Sequence, residues 1–156
     1  MAGYGEPDLS TVEAHGLTLG IVATRWHRGL VDHMVDRAEA AAKACGVDEV
    51  HTVRVAGSVE LPVVAQALAR RYDAVVAIGV VVRGETAHFD YVCRSVTDGL
   101  TRVALDAGKP VAHGVLTVNS LDQARDRAGL PGSAEDKGWS ATVAALDAAL
   151  AVRGLR

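Results

Sequence analysis

The residues with the clearest chemical potential follow the most apolar stretch of the chain. The run AVVAIGVVV at 74–82 leads into Arg, Gly84, Glu85 and Thr86, and His88 then opens a predicted helix. A glycine permits a tight turn, free N–H groups before a helix attract phosphate, and a histidine can transfer protons near neutral pH. The segment predicts an anion site with a proton-transfer group. The alternative is an ordinary strand–helix turn with Thr86 as N-cap and His88 at the surface.

Two other predicted strand ends carry candidate side chains. Trp26, in TRWHRG at 24–29, could stack on a flat ring or fill a partly buried apolar position, and His27 beside it is a weaker candidate. Glu60, in AGSVELP at 56–62, could accept hydrogen bonds from ligand hydroxyls or simply favour the start of a helix. Ligands of open α/β sheets collect at the carboxyl ends of the strands, so these groups are expected on one edge of the sheet.

Two basic residues flank the loop AGLPGSAED at 128–136. Arg127 precedes the loop and Lys137 follows it. If they face a ligand, the guanidinium suits a phosphate and the ammonium suits a polarised carbonyl. Otherwise they are solvated surface charges, which is the usual role of single basic residues.

The pattern of apolar residues predicts alternating strands and helices. A two-residue period or a continuous apolar run indicates a strand, and apolar residues three and four apart indicate a helix. The predicted strands are 17–24, 49–57, 74–82 and 109–120 (the last with its exit loop), and the predicted helices are 28–46, 61–72, 88–108, 121–129 and 137–155. This order predicts an α/β fold, with parallel βαβ units in a three-layer sandwich.

Length and composition limit the possible partners. The length of 156 residues predicts one domain over 1–156, with a loose N-terminal arm at 1–16. The net charge of −3 predicts neither nucleic acid nor a membrane as partner. Cys45 and Cys93 lack metal-ligand spacing and are predicted to pack in the core. The start of the chain does not resemble a secretory signal, and no apolar run approaches the ~20 residues of a membrane span, so the expected location is the cytoplasm.

Several of these segments together resemble one enzyme family. Trp26, GSVELP (57–62), AIGVVVRGETAHFDYV (77–92), GVLT (114–117), DRAG (126–129) and EDKG (135–138) are similar to the lumazine synthases (6,7-dimethyl-8-ribityllumazine synthases). The similarity runs from about Leu17 to Leu150. Trp26 and the long LPGSAED loop are most similar to the actinobacterial members.

The resemblance implies both a fold and a reaction. It implies a flavodoxin-like subunit with a four-stranded parallel sheet, an N-terminal strand that could add to a neighbour's sheet, and a homopentamer with sites between subunits. The implied activity is that of a transferase in riboflavin biosynthesis, which condenses 5-amino-6-(D-ribitylamino)uracil with 3,4-dihydroxy-2-butanone 4-phosphate. Neither a cofactor nor a metal is implied. The long loop between DRAG and KG favours a pentamer, or a decamer of two pentamers, over an icosahedral shell.

The resemblance also implies roles for individual residues. His88 would transfer protons, and Arg127 would reach the phosphate from the adjacent subunit. His113 stands where many relatives have Phe, and some Asn, lining the neighbour's site. The remaining implied contacts are Trp26, Val80, Val81 and Lys137 with the ring, Ser58, Val59 and Glu60 with the ribityl chain and ring, and Gly84, Glu85 and Thr86 with the phosphate.

Two other functions fit the same fold class. A non-catalytic flavodoxin-like module could bind FMN, but TRWHRG lacks the Ser/Thr/Gly-rich phosphate loop expected after the first strand of a flavodoxin. A purely structural shell subunit is disfavoured by the complete set of site residues and by the long loop.

Overall fold

The fold is described by a computed structural model that covers residues 4–7 and 10–156. Strands and helices alternate along the chain, as predicted. The strands are β1 (Thr18–Thr24), β2 (Glu49–Val55), β3 (Ala74–Val82) and β4 (Val111–Val118), and the helices are α1 (Arg28–Ala44), α2 (Leu61–Ala69), α3 (His88–Ala107), α4 (Leu121–Arg125) and α5 (Lys137–Gly154). All strand pairs are parallel, in the order β2-β1-β3-β4. The prediction of a four-stranded, flavodoxin-like α/β subunit is confirmed.

The sheet separates two apolar cores, which gives the three layers. Along β3, Val76 and Ile78 face the core formed with α1 and α5, whereas Val75 and Ala77 face the core formed with α2 and α3. A strand covered on both faces needs apolar residues at every position, because successive side chains point to opposite faces. This accounts for the continuous apolar run of β3.

The ends of several elements differ from the predicted bounds. The strand predicted from residue 109 begins at Val111, because Pro110 lacks an N–H and contributes only its carbonyl, which accepts from Val75 N–H at 2.9 Å. The first three residues of β2 are exposed, since this strand lies at the edge of the sheet. A 3₁₀ turn at Ser58–Glu60 was not predicted.

The cysteines and the N-terminal segment occupy different environments. Cys45 is buried, as predicted, but Cys93 is only partly buried, so the prediction of core packing is wrong for Cys93. Residues 10–16 are irregular, and several hydrogen bonds connect them to the domain. Ala14 N–H donates to Cys45 O at 2.8 Å, Gly16 N–H donates to Asp48 Oδ1 at 2.9 Å, Trp139 Nε1–H donates to Ser10 O at 2.9 Å, and Arg153 Nη1 donates to His15 O at 3.2 Å. Part of the predicted arm, residues 1–3 and 8–9, lies outside the described residues. In the described part of the chain, no helix has the length and apolar character needed to cross a membrane.

Candidate active site

A cleft of about 470 Å³ lies at the carboxyl ends of β1, β2 and β3. The strand ends converge there because parallel strands all leave the same edge of the sheet. The floor is apolar and consists of Val80, Val81 and Val82 from β3, with Phe89 and Val92 from the start of α3. An apolar floor of this size, with polar groups along its rim, suits a flat ring with hydrophilic substituents.

Trp26 lies in the loop after β1 and forms one side of the cleft. Its side chain is 65 % exposed, so it does not fill an apolar position in the core. Gly57 makes the close approach of two side chains possible: a Cβ atom at that position would lie 3.2 Å from Trp26 Nε1 and 3.3 Å from Glu60 Oε2. The absent side chain at Gly57 therefore leaves the indole and the carboxylate next to each other on the rim.

The 3₁₀ turn places Ser58, Val59 and Glu60 along the cleft. Ser58 is buried, whereas Val59 and Glu60 are exposed. Gly79 of β3 makes room for the turn, because a Cβ atom there would lie 3.0 Å from Ser58 Oγ. The turn therefore presents its backbone and one carboxylate to a ligand.

The loop between β3 and α3 fits the predicted anion site. Gly84 and Thr86 line the cleft, whereas the exposed Glu85 does not. Among the described residues, no protein acceptor receives the backbone N–H groups of 84–87. Thr86 Oγ1 accepts from His88 N–H at 3.3 Å, but the N-cap position of the helix is occupied by Ala87, not by Thr86. Free N–H groups at the start of a 20-residue helix favour a bound anion.

His88 is the first residue of α3 and lines the same cleft. Its side chain is exposed and lines the cleft together with the loop at 84–87, here called the anion loop, and the apolar floor. It can therefore reach a substrate held by both. Cys93 is a poor candidate for a nucleophile, because burial and the nearby Asp90 carboxylate raise the pKa of its thiol.

Four predicted site residues do not line this cleft in the single chain: Glu85, described above, and His113, Arg127 and Lys137. His113 lies on the edge strand β4, where its Nε2 is 2.9 Å from Thr97 Oγ1. Arg127 Nε is 3.3 Å from Glu135 Oε2, and its Nη1 donates to Gln123 O at 2.9 Å. Lys137 begins α5. The resemblance implies that His113 and Arg127 contribute to a neighbour's cleft, and this stays a prediction.

Other lining residues were not predicted as site residues. Phe89 and Val92 fit the apolar stripe of α3, so the sequence pattern indicated the core, but both are only partly buried and face the cleft. Their position in the first turns of α3, directly after the anion loop, was the feature of the sequence that could have indicated a role in the site. His27, named above as a weaker candidate, also lines the cleft and adopts a left-handed backbone conformation, with φ of 50°. Within the described residues, no group of three or more His, Cys, Asp or Glu side chains could hold a metal ion.

Comparison with known proteins decides the family. The family model described as 6,7-dimethyl-8-ribityllumazine synthase matches residues 16–153. The chain belongs to the 6,7-dimethyl-8-ribityllumazine synthase family. Relatives that carry this name include a protein of Salinispora arenicola (strain CNS-205), 79 % identical over 99 % of this chain and 93 % of the relative. Another, of Thermobifida fusca (strain YX), is 64 % identical over 100 % of this chain and 91 % of the relative.

A third lumazine synthase, of Mycolicibacterium gilvum (strain PYR-GCK), is 59 % identical over 99 % of this chain and 98 % of the relative. These matches confirm the resemblance to actinobacterial members. They extend over almost the whole chain, so the family assignment includes the cleft, the anion loop and the loop before α5. Nothing in these comparisons supports the alternative of a non-catalytic FMN-binding module.

Proposed function

We propose that this chain condenses 5-amino-6-(D-ribitylamino)uracil with 3,4-dihydroxy-2-butanone 4-phosphate to 6,7-dimethyl-8-ribityllumazine, the penultimate step of riboflavin biosynthesis. The observation that carries the proposal is one cleft in which Trp26, an apolar floor, the anion loop at 84–87 and His88 converge. Lumazine synthases between 59 % and 79 % identical to the chain support the same assignment. The proposed location is the cytoplasm.

The two substrates fit different parts of the cleft. The pyrimidine ring stacks on Trp26 and rests on Val80 and Val81, and the ribityl chain follows the turn at 58–60. The phosphate of the second substrate accepts hydrogen bonds from the N–H groups of 84–86 and from the Thr86 hydroxyl. Fixed dipoles suit this task because they need no reorganisation as the phosphate departs.

The reaction needs positioning and proton transfer rather than a protein nucleophile. The 5-amino group of the uracil attacks the ketone carbonyl, and loss of water gives an imine. Proton removal from the carbon next to the imine then drives elimination of phosphate with cleavage of its C–O bond. The resulting enol gains a proton to become a ketone, and the ribitylamino nitrogen attacks that carbonyl and closes the ring with loss of a second water. His88 is placed to move these protons, and holding both substrates in one cleft supplies the orientation.

An assembly completes the proposed site. Arg127 of an adjacent subunit pairs with the phosphate, His113 of that subunit lines the ring pocket, and Lys137 contacts the polar edge of the ring. Large apolar side chains exposed on α2 and α3, Val63 at 65 % and Leu105 at 78 %, support an association between subunits. We propose a homopentamer or a decamer of two pentamers.

The test is formation of the fluorescent lumazine from the two substrates by the purified chain. His88→Ala is expected to lower kcat by about 100-fold, because a general acid–base group is lost. His15→Ala, at an exposed position next to Glu13, is the control and should keep the wild-type rate. An unchanged rate in His88→Ala would remove His88 from its role. A wild-type protein that holds stoichiometric FMN and forms no lumazine would instead favour the FMN-binding module.

A further inference from the structure

The Arg83 side chain bridges the two ends of the anion loop. Arg83 follows the last residue of β3, and its backbone N–H donates to Val118 O at 2.9 Å. Its guanidinium carbon lies 4.5 Å from the centre of the Phe89 ring, and its Nη2 is 3.5 Å from Asp90 Oδ1. Phe89 and Asp90 directly follow His88 in the first turn of α3. One side chain thus connects the strand before the loop with the helix after it.

The same guanidinium also contacts the neighbouring strand exit. Arg83 Nε donates to Asn119 Oδ1 at 2.9 Å, and Asn119 N–H donates to Gln123 Oε1 at 2.7 Å. The carbonyl of Gln123 accepts from Arg127 Nη1 at 2.9 Å. A continuous series of hydrogen bonds therefore runs from the base of the anion loop to the residue proposed to pair with the phosphate in an adjacent subunit.

A contribution to folding stability does not by itself explain the contacts of Arg83. The side chains of Arg83 and Asp90 are 47 % and 61 % exposed, and exposed ion pairs contribute little to folding because water screens them. The contacts of Arg83 are better explained by a role in orienting the loop at 84–87. Within residues 4–7 and 10–156, the backbone N–H groups of 84–87 have no acceptor, so a change of loop conformation moves the donors that would hold a phosphate.

We propose that Arg83 is a positioning residue for the phosphate half of the site. It fixes the anion loop and the start of α3 that carries His88, and through Asn119 and Gln123 it steadies the turn that carries Arg127. The inference rests on the proposed function and adds a residue that lines neither the cleft floor nor its rim.

The experiment measures the two substrates separately. Arg83→Ala and Arg83→Lys are expected to raise the KM for the butanone phosphate, and the inhibition constant of inorganic phosphate, by about tenfold. The KM for the aminouracil should change less than about twofold, because its ring rests on Trp26 and the valines. Lysine keeps the charge but cannot donate to Asn119 and pair with Asp90 in the fork geometry of arginine, so it should not restore affinity.

A second pair of variants tests the network if Arg83→Ala fails to fold. Asn119→Ala removes the acceptor for Arg83 Nε and should raise the same KM by about threefold, whereas Asn119→Asp keeps an acceptor and should match the wild type. Arg102→Ala is the control: this arginine lies on α3, its side chain is 84 % exposed, and its ion pair with Asp106, at 3.3 Å, lies within that helix.

The outcomes separate the two proposals. Equal increases in both KM values, a wild-type KM in Arg83→Ala, or full recovery in Arg83→Lys would overturn the positioning role. A wild-type chain that forms no lumazine would overturn the proposed function instead. In that case the affinity for inorganic phosphate, measured by calorimetry on wild type and Arg83→Ala, still decides whether Arg83 positions the loop.

Discussion

At the scale of single residues, the contribution of His113 to stability depends on the protonation of its imidazole, which contacts Thr97. Burial lowers the pKa of the His113 imidazole below its ordinary value of 6.5, and the positive charge of Lys137 acts in the same direction. The unfolded chain therefore binds a proton at this residue more readily than the folded chain does. Stability attributable to His113 is fully present above the unfolded pKa and is lost as pH falls below it.

His113→Asn is expected to reduce the loss of thermal stability in mild acid. Asn keeps a hydrogen-bonding group near Thr97 but cannot be protonated, so the melting temperature should fall less than that of the wild type between about pH 7.5 and pH 5.5. Differential scanning calorimetry at matched protein concentration measures the difference. His15→Asn, at an exposed histidine, should follow the wild-type curve. Parallel curves for His113→Asn and wild type would contradict the prediction.

For some site residues, the residue type and its place in the sequence were enough to predict a position in the cleft; for others they were not. Trp26 and His88 follow strand ends and belong to residue types that are informative in a loop, so their place in the cleft could be predicted. Phe89 could not, because an aromatic residue on an apolar helical stripe usually indicates the core. His113 and Arg127 point to a further limit: one chain alone does not contain the surface that they are predicted to complete.

At the scale of elements, the contact between α1 and α5 depends on a missing side chain. Gly138 lies in the first turn of α5, and a Cβ atom there would overlap the carbonyl oxygen of Met34. The two helices cover one face of the sheet, so a larger separation would loosen the core beneath them. The glycine is thus required by packing rather than by a special backbone conformation.

Gly138→Ala is expected to lower the free energy of unfolding by about 1–3 kcal/mol, because overpacking displaces one of the helices. Gly154→Ala is the matched control in the same helix, since a Cβ atom there meets none of the described residues within 4 Å. Urea unfolding at equal protein concentration measures both variants. Equal midpoints for the two variants would show that α1 and α5 can separate at little cost.

Elements with strong apolar patterns were predicted better than those defined by local turns. The bounds of β3 agree with the apolar run 74–82 because residues 74–80 are buried in the middle of the sheet, and Val81 and Val82 continue the strand into the apolar floor of the cleft. The 3₁₀ turn at Ser58–Glu60 has only three residues, too few to show a period. Its position depends on Gly79 across the sheet, and such a long-range contact cannot be read from the local sequence.

At the scale of the whole molecule, the single chain contains an incomplete set of the predicted site residues. Trp26, the apolar floor, the anion loop and His88 share one cleft, whereas Arg127 belongs to the segment between α4 and α5 and does not line it. If Arg127 serves an adjacent subunit, each active site uses residues from two chains. Two variants that each lack a different one of these residues would then form some intact active sites in a mixed assembly.

Subunit mixing tests this arrangement. His88→Ala and Arg127→Ala homo-oligomers should each be nearly inactive, but co-assembly of equal amounts should restore about a quarter of the wild-type sites, because random mixing pairs an intact His88 with an intact Arg127 at that frequency. Lumazine fluorescence measures the recovery, and mixing without prior dissociation is the control. If Arg127 acts within its own chain, every mixed site lacks one of the two groups, and the activity stays at the average of the two variants.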